Sequence, residues 1–560
     1  MLSPAVRRRH FLQLVFSRRA DEDAGLPPGA LSKKDVRQRC ELAFRAGETD
    51  AFMDMADWLL RNGMIAAFEA KRYADKLNEI GRYEDALAVH RRFARTEKSG
   101  YWRSLAVALA GVDQLDQAND ALECAEQAGD EASRPEPAFA EALRLVRVEG
   151  PRPGQIASWP AAAALVEAYV LLGLQRRAVD VFIAVLNRSP PQGDDETLDV
   201  LRLAQEVIRL VDTISAADLM RSILRCFGQA PDRPPATAHP GVQMCQALAL
   251  VKAGQDEAAV PLLAQLSGHF KDAENAGAED ARIELARTVG RLVLAEVRPQ
   301  LAPGGPRKII DIFPMNDELL MLKIKLEEMA DWVDHFVIVE SVLTFRGQPK
   351  PLHFERNKAE FSRFSDKIVH VVVDEFPPWA STAWTREFYQ RDCGLRALAR
   401  LCRQDDLVLV TDVDEIVRHS AVESFTGAFA GLGMPCYGHF FNLEELRSPQ
   451  VQWAWAIKAK YLQRIGPSYA KIGLPQYAKF ASMDDAGWHF SGVRDIDGLL
   501  SKFHSYSNDQ WSNVQRGQLT EAVARIRQSG GAPGYLRREI DDSFPAYLRE
   551  HRDELSRLIL

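Results

Sequence analysis

Long apolar runs are missing from this chain. No stretch approaches the ~18–20 apolar residues that a bilayer-crossing helix needs, so no such helix is expected. An excess of basic charge is missing too. Seventy Lys and Arg stand against 78 Asp and Glu, a formal net charge of −8, which argues against a nucleic-acid-binding protein. Cysteine pairs are missing as well. The seven cysteines (Cys40, Cys124, Cys226, Cys245, Cys393, Cys402 and Cys436) lie far apart, with no CxxC and no Cys/His metal spacing. An odd, scattered set reads as free thiols in a reducing cytoplasm. Arg8-Arg9-His10-Phe11-Leu12 resembles a twin-arginine export signal, but the apolar piece Phe11–Phe16 is too short for one and runs into Ser17-Arg18-Arg19. The expected location is the cytoplasm, with a basic tail that could touch the inner membrane peripherally.

What is present is an ordinary globular composition, 46% hydrophobic and 26% charged over 560 residues, long enough for two or more cores. Residues 1–45 hold polar and Pro/Gly segments and read as a loosely ordered tail. Over 46–300 apolar residues recur at spacings of three and four with little β-branched alternation, a helical signature. One pattern returns within it: Gly81-Arg82-Tyr83-Glu84-Asp85-Ala86, Asp113-Gln114-Leu115-Asp116-Gln117-Ala118, Gly173-Leu174-Gln175-Arg176-Arg177-Ala178, and Gly254-Gln255-Asp256-Glu257-Ala258-Ala259. A tight turn, a small alanine at a close helix crossing and large residues four and seven positions later describe a helix–turn–helix repeat. The pattern resembles the tetratricopeptide family in degenerate form. The other reading is a generic helical domain with alanine at its crossings. A repeat arm would offer a surface for a protein or peptide partner, or act as a spacer.

The Pro/Gly cluster Arg298–Pro306 is the expected boundary. Beyond it, strands alternate with helices. Strands are predicted at Lys308–Pro314, Asp334–Glu340, Lys367–Val373 and Leu407–Thr411, and helices at Asp317–Trp332 and Thr385–Arg400, with a closing amphipathic helix over Phe544–Leu560. Such alternation means an α/β fold with a mostly parallel sheet and helices on both faces. The fourth strand runs into Asp412, Asp414 and Glu415. Acids at the carboxyl end of a buried strand sit where α/β sheets bind ligands. Clustered carboxylates need a cation, and Mg²⁺ or Mn²⁺ could hold them and bridge to nucleotide phosphates. Asp-x-Asp after a strand equally suits a phosphatase-type nucleophile at Asp412 or a solvated turn.

Five segments in order narrow this choice: Asp311–Leu319 (DIFPMNDEL); Val333–Ser341 (VDHFVIVES), continued by Thr344–Leu352; Asp366–Val371, followed by Trp384, Glu387 and Arg391; Asp412–Ile416 (DVDEI); and Ala486–Ser491 (AGWHFS). Together they resemble glycosyltransferase family 17, over about 307–510. The resemblance implies a GT-A-like domain over 307–560 and an inverting, metal-dependent transferase. It would move a sugar, N-acetylglucosamine above all, from a UDP-sugar to a glycan or protein-linked acceptor. By the same match Asp412 and Asp414 would hold a divalent Mn²⁺ or Mg²⁺ and the donor, Glu415 belongs to that motif, and Trp488 and His489 match a second signature. His489 could be a further metal ligand, and Trp488 could stack on a sugar. Asn316, Asp317, Glu340 and Arg391 are donor-binding candidates, although Arg391 and Glu387 at i,i+4 also suit a plain helix ion pair. Transfer needs a general base, for which Glu444, Glu445, Asp484 and Asp485 are candidates, Glu445 and Asp485 foremost. Lys502–Asn508 (KFHSYSN) fits the family's late segment only loosely. An alternative of a different class is an interaction scaffold whose transferase domain no longer turns over.

Overall fold

The computed structural model describes residues 36–37, 40, 49–79, 81–93, 101–127, 137–149, 156, 158–227, 239–267, 276–423, 425, 427–446, 451–475, 482–507 and 513–560. Nearly all of the expected tail, including the Arg8-Arg9 segment, and Asn508 of the late segment lie outside these residues. The chain forms two compact units, residues 1–255 and 256–560.

The first unit is helical throughout its described residues, from Thr49–Arg61 to Pro240–Lys252. Its recurring turn has one physical construction. Gly81, Asp113, Gly173 and Gly254 all have φ between 62° and 82°. At each, two backbone hydrogen bonds close the preceding helix, as in Gly173 N–H to Val170 O (3.1 Å) and Leu174 N–H to Tyr169 O (2.8 Å). This is the left-handed cap that glycine adopts without penalty and aspartate tolerates. The same pair occurs at Gly63 (φ 66°), with Met64 N–H to Leu59 O at 2.8 Å, a fifth copy that the sequence pattern did not reveal. Ala86, Ala118 and Ala178 are fully buried, as close helix crossings require.

The second unit begins before the Pro/Gly linker. Helix Ala276–Val297 packs on helices Ala383–Cys393, Ala459–Ile465 and Pro467–Ile472, and a Cβ on Gly290 would come within 3.1 Å of the Ile465 carbonyl oxygen. Two helices of repeat-like texture (Asp256–Ser267 and Ala276–Val297) thus belong to the unit that holds the sheet. Composition marked the linker, while packing set the division.

Eleven strands follow among the described residues: β1 (Ile309–Met315), β2 (His335–Ser341), β3 (Ile368–Val373), β4 (Leu407–Val410), β5 (Glu415–Val417), β6 (Phe429–Met434), β7 (Leu443–Glu445), β8 (Val451–Lys458), β9 (Ser482–Met483), β10 (Gly487–His489) and β11 (Tyr535–Arg537). Seven form one sheet in the order β3-β2-β1-β4-β8-β6-β9. β1 to β4 are parallel, and β8 runs antiparallel to both β4 and β6. One face joins Phe313, Phe336, Ile338 and Leu409 to Leu322, Ile324 and Leu326 of helix Leu319–Met329. On the other face Ile312 and Val339 lie so close to Gly394 that a Cβ there would meet Ile312 at 2.2 Å. The expected helix Thr385–Arg400 accordingly appears as two pieces, Ala383–Cys393 and Leu395–Leu401. The expected closing helix forms only over Ala546–Glu550. Beyond it the chain is held in other conformations by bonds such as Phe441 N–H to Leu558 O and Leu560 N–H to Asn442 Oδ1.

Candidate functional site

The turn after β4 is pinned from beneath. Lys325, with no exposed side-chain surface, donates to Thr411 Oγ1 (2.8 Å), Asp412 O (3.0 Å) and Glu415 O (2.8 Å), and pairs with Asp311 Oδ2 at 3.0 Å. Burial raises the proton affinity of Asp311, and Lys325 and Thr411 oppose it. Glu415 closes the turn from the side. One of its oxygens accepts the Asp412 N–H (2.7 Å) and both accept Lys471 Nζ (2.7 Å). Glu415 therefore shapes the turn and does not line the cavity above it.

That cavity, about 290 Å³, opens where β1 and β4 end and is lined by Asn316, Glu318, Lys350, Glu387, Arg391, Asp412, Asp414, His489 and Lys502, among others. Asp412 lies 2.7 Å from Arg391 and 3.1 Å from Lys471. Burial opposes its charge, but these two cations outweigh burial and hold its carboxyl far below the usual range. Asp414 lies 3.0 Å from Lys502 and 3.7 Å from His489. Burial again works against ionisation, and Lys502 and His489 outweigh it. The clustered acids thus have their counter-charges in side chains of distant segments.

The two most distinctive motifs meet through backbone pairing. Trp488 lies opposite Ile416, and His489 opposite Glu415, in the antiparallel β10–β5 pair, and Phe490 N–H bonds Asp414 O at 2.8 Å. This ladder delivers the His489 ring to Asp414. Burial disfavours a charged imidazole there, yet the contact with Cys436 and the charge of Asp414 push His489 up to about 9.

Of the other candidates, Asn316 and Arg391 line the cavity; Asp317, Glu340, Trp488, Glu445 and Asp485 do not. Asp317 is tied to Arg494 (2.6 Å) and Ser501 (3.0 Å). Glu340 is buried and accepts the Phe354 N–H (2.9 Å), with His370 at 3.1 Å. Trp488 donates its indole N–H to Ser543 O (3.0 Å) under the Arg418 guanidinium. Glu444 and Glu445 stand on β7, paired with β11. Asp485, with φ 51° and a side chain 73% exposed, forms the turn before β10. The carboxylates that do line the cavity are Glu318, Glu387, Asp412 and Asp414. Glu387, buried beside Arg391 and Ser507, has its proton affinity raised by burial.

Sequence reasoning did not single out Lys325, Lys471 or Lys350. A lysine carries no local mark of burial, so nothing in the sequence pointed to the first two. The loosely matching late segment was the available signal for Lys502: Lys502, Phe503, Ser505 and Tyr506 all line the cavity.

No group of three or more His, Cys, Asp or Glu converges as a metal cage among the described residues. A hard divalent ion that shares its coordination with substrate phosphates needs only one or two protein carboxylates. Asp414 with His489 beside it fits that requirement once Lys502 yields the carboxylate and His489 gives up its proton.

A mostly parallel sheet with this acid-and-cation site at its carboxyl edge is a GT-A-like α/β domain. Residues 300–529 match the model of glycosyltransferase family 17. Beta-1,4-mannosyl-glycoprotein 4-beta-N-acetylglucosaminyltransferases of Rattus norvegicus, Homo sapiens and Mus musculus are each 26% identical to it over 261 residues, 40% of this chain. The chain spans about half the length of these relatives, 48%, 49% and 48% respectively. No described helix is long and apolar enough to cross a membrane, and the seven cysteines are free.

Proposed function

We propose that residues 256–560 form an inverting glycosyltransferase that moves a sugar, N-acetylglucosamine in first place, from a UDP-sugar to a glycan or protein-linked acceptor in the cytoplasm. The observation that carries this is the pairing of the Asp412–Glu415 turn with Gly487–His489 at the mouth of one cavity, in a domain that matches family 17. Asp414 and His489 would hold a Mn²⁺ or Mg²⁺, which when bound supplies positive charge to the leaving diphosphate. Arg391 orients Asp412 and lends further positive charge to that end of the cavity. Lys502 keeps Asp414 ionised and aimed before donor arrives. The acceptor proton falls to Glu318 or Glu387, each paired with a single arginine (Arg494 and Arg391), whereas Asp412 and Asp414 each face two cations. The helical repeats would present a partner or acceptor to this domain.

Calorimetric titration of UDP-N-acetylglucosamine, with UDP-glucose and UDP-galactose beside it, with and without Mn²⁺, tests the reading on wild type and Asp414→Ala. Metal-dependent binding that is lost in the variant supports it. Binding that is absent for every UDP-sugar favours a scaffold without turnover.

A further inference from the structure

The cations of the cavity differ in how they are engaged. Arg391 is engaged by Asp412 and Glu387, Lys502 by Asp414, and His489 stands beside Asp414. Lys350 is different. Its ammonium nitrogen is buried and has no hydrogen-bond partner among the described residues, although it lines the same cavity. Burial pulls its proton affinity down, and Glu340, Glu318 and Asp317 counter this only through space. Leaving a buried charge without a partner costs stability that a well-packed apolar side chain would not.

The backbone holds this lysine in place. A tight hairpin follows β2, with Thr344 N–H to Gln348 O (2.8 Å), Lys350 N–H to Val342 O (2.9 Å) and Gly347 at φ 83°. Asn316, which lines the same cavity, has a buried Oδ1 that also lacks a donor. Two residues of the cavity lining thus hold an unsatisfied buried polar atom, one a donor and one an acceptor.

We infer that Lys350 is the cavity's receptor for the donor's diphosphate: the ammonium whose partner is supplied by the ligand rather than by the protein. This rests on the donor-site reading above and assigns the anion to a particular residue.

The test compares wild type, Lys350→Met and Lys350→Arg by calorimetry with UDP, uridine and inorganic diphosphate, together with thermal unfolding of the ligand-free proteins. The expected result is a loss of about 10- to 100-fold in affinity for UDP and diphosphate in Lys350→Met, the size of a charge-assisted hydrogen bond. Uridine binding stays unchanged, Lys350→Arg keeps most of the affinity, and the unfolding midpoint of Lys350→Met does not fall. A lowered midpoint with equal losses for uridine and UDP would mean a structural lysine and overturn the inference. Unchanged UDP and diphosphate affinity would overturn it too, as would a wild type that binds neither. If wild type binds diphosphate through Lys350 but no uridine nucleotide, the donor reading falls and the anion assignment stands.

Discussion

Lys325 and Asp311 form an ion pair 3.0 Å long in which neither side chain has any exposed surface. It lies under the turn that carries Asp412 and Asp414, and the same ammonium holds three other oxygens of that turn in place. The pair links helix Leu319–Met329 and β1 to the site without entering the cavity.

Removing one partner of such a pair strands the other. Lys325→Met should therefore destabilise the protein by about 3–5 kcal/mol, measured by denaturant unfolding. The double variant Lys325→Met, Asp311→Leu should recover much of that stability, because a buried pair can be replaced by apolar side chains. Donor affinity should remain impaired in it, since the turn has lost its three anchors. Full recovery of both would show that Lys325 only fills space.

Gly487 offers a sharper steric test. A Cβ there would lie 2.0 Å from the Ile416 carbonyl oxygen, so β10 cannot keep its place against β5. Gly487→Ala should cost about 1–3 kcal/mol, as overpacking does, and should lower donor binding by moving His489 away from Asp414. Wild-type stability and binding would mean that the two strands separate at no cost.

The identity of the general base is open to kinetics. Glu318→Gln and Glu387→Gln should differ: the base variant loses about 10²–10⁴ in kcat with donor affinity nearly unchanged, and the other loses far less. If both stay within tenfold of wild type, the base lies outside this cavity wall.

Asp392 is a buried acid whose Oδ1 accepts the Ser468 N–H at 2.7 Å, while burial pushes its carboxyl up to about 7 from an ordinary value of 3.8. Its folded pKa is above the unfolded one, so the folded state binds the proton more tightly. Its contribution favours folding at acid pH and is lost as pH rises from about 4 to about 7. Asp392→Asn keeps the acceptor and removes the titration. It should exceed wild type in stability at pH 8 by a few kcal/mol at most and approach it near pH 4. Parallel stability–pH curves for the two proteins would refute this.

Much of this architecture follows from sequence. Short apolar runs marked β1 to β4, and in β1, β2 and β4 such a run suits a strand buried on both faces. The run ended at Asp412, just past the carboxyl end of β4, and that placed the acids at that end of the sheet. Glycine or aspartate at each repeat turn followed from backbone sterics alone.

The rest needed the tertiary structure. β8 and β6 extend the sheet beyond β4, but nothing local tells these strands from other apolar segments. Trp488 packs under Arg418, Glu340 caps a neighbouring helix, and Glu445 and Asp485 do not line the cavity, because only the fold decides which side of a strand or turn meets the site. Lys471, Lys502 and Lys325 come from segments 56 to 90 residues from the turn residues they contact. The charges this domain contains are written in its residues; which of them are neutralised, and which one waits for a ligand, was decided by the distances that folding imposed.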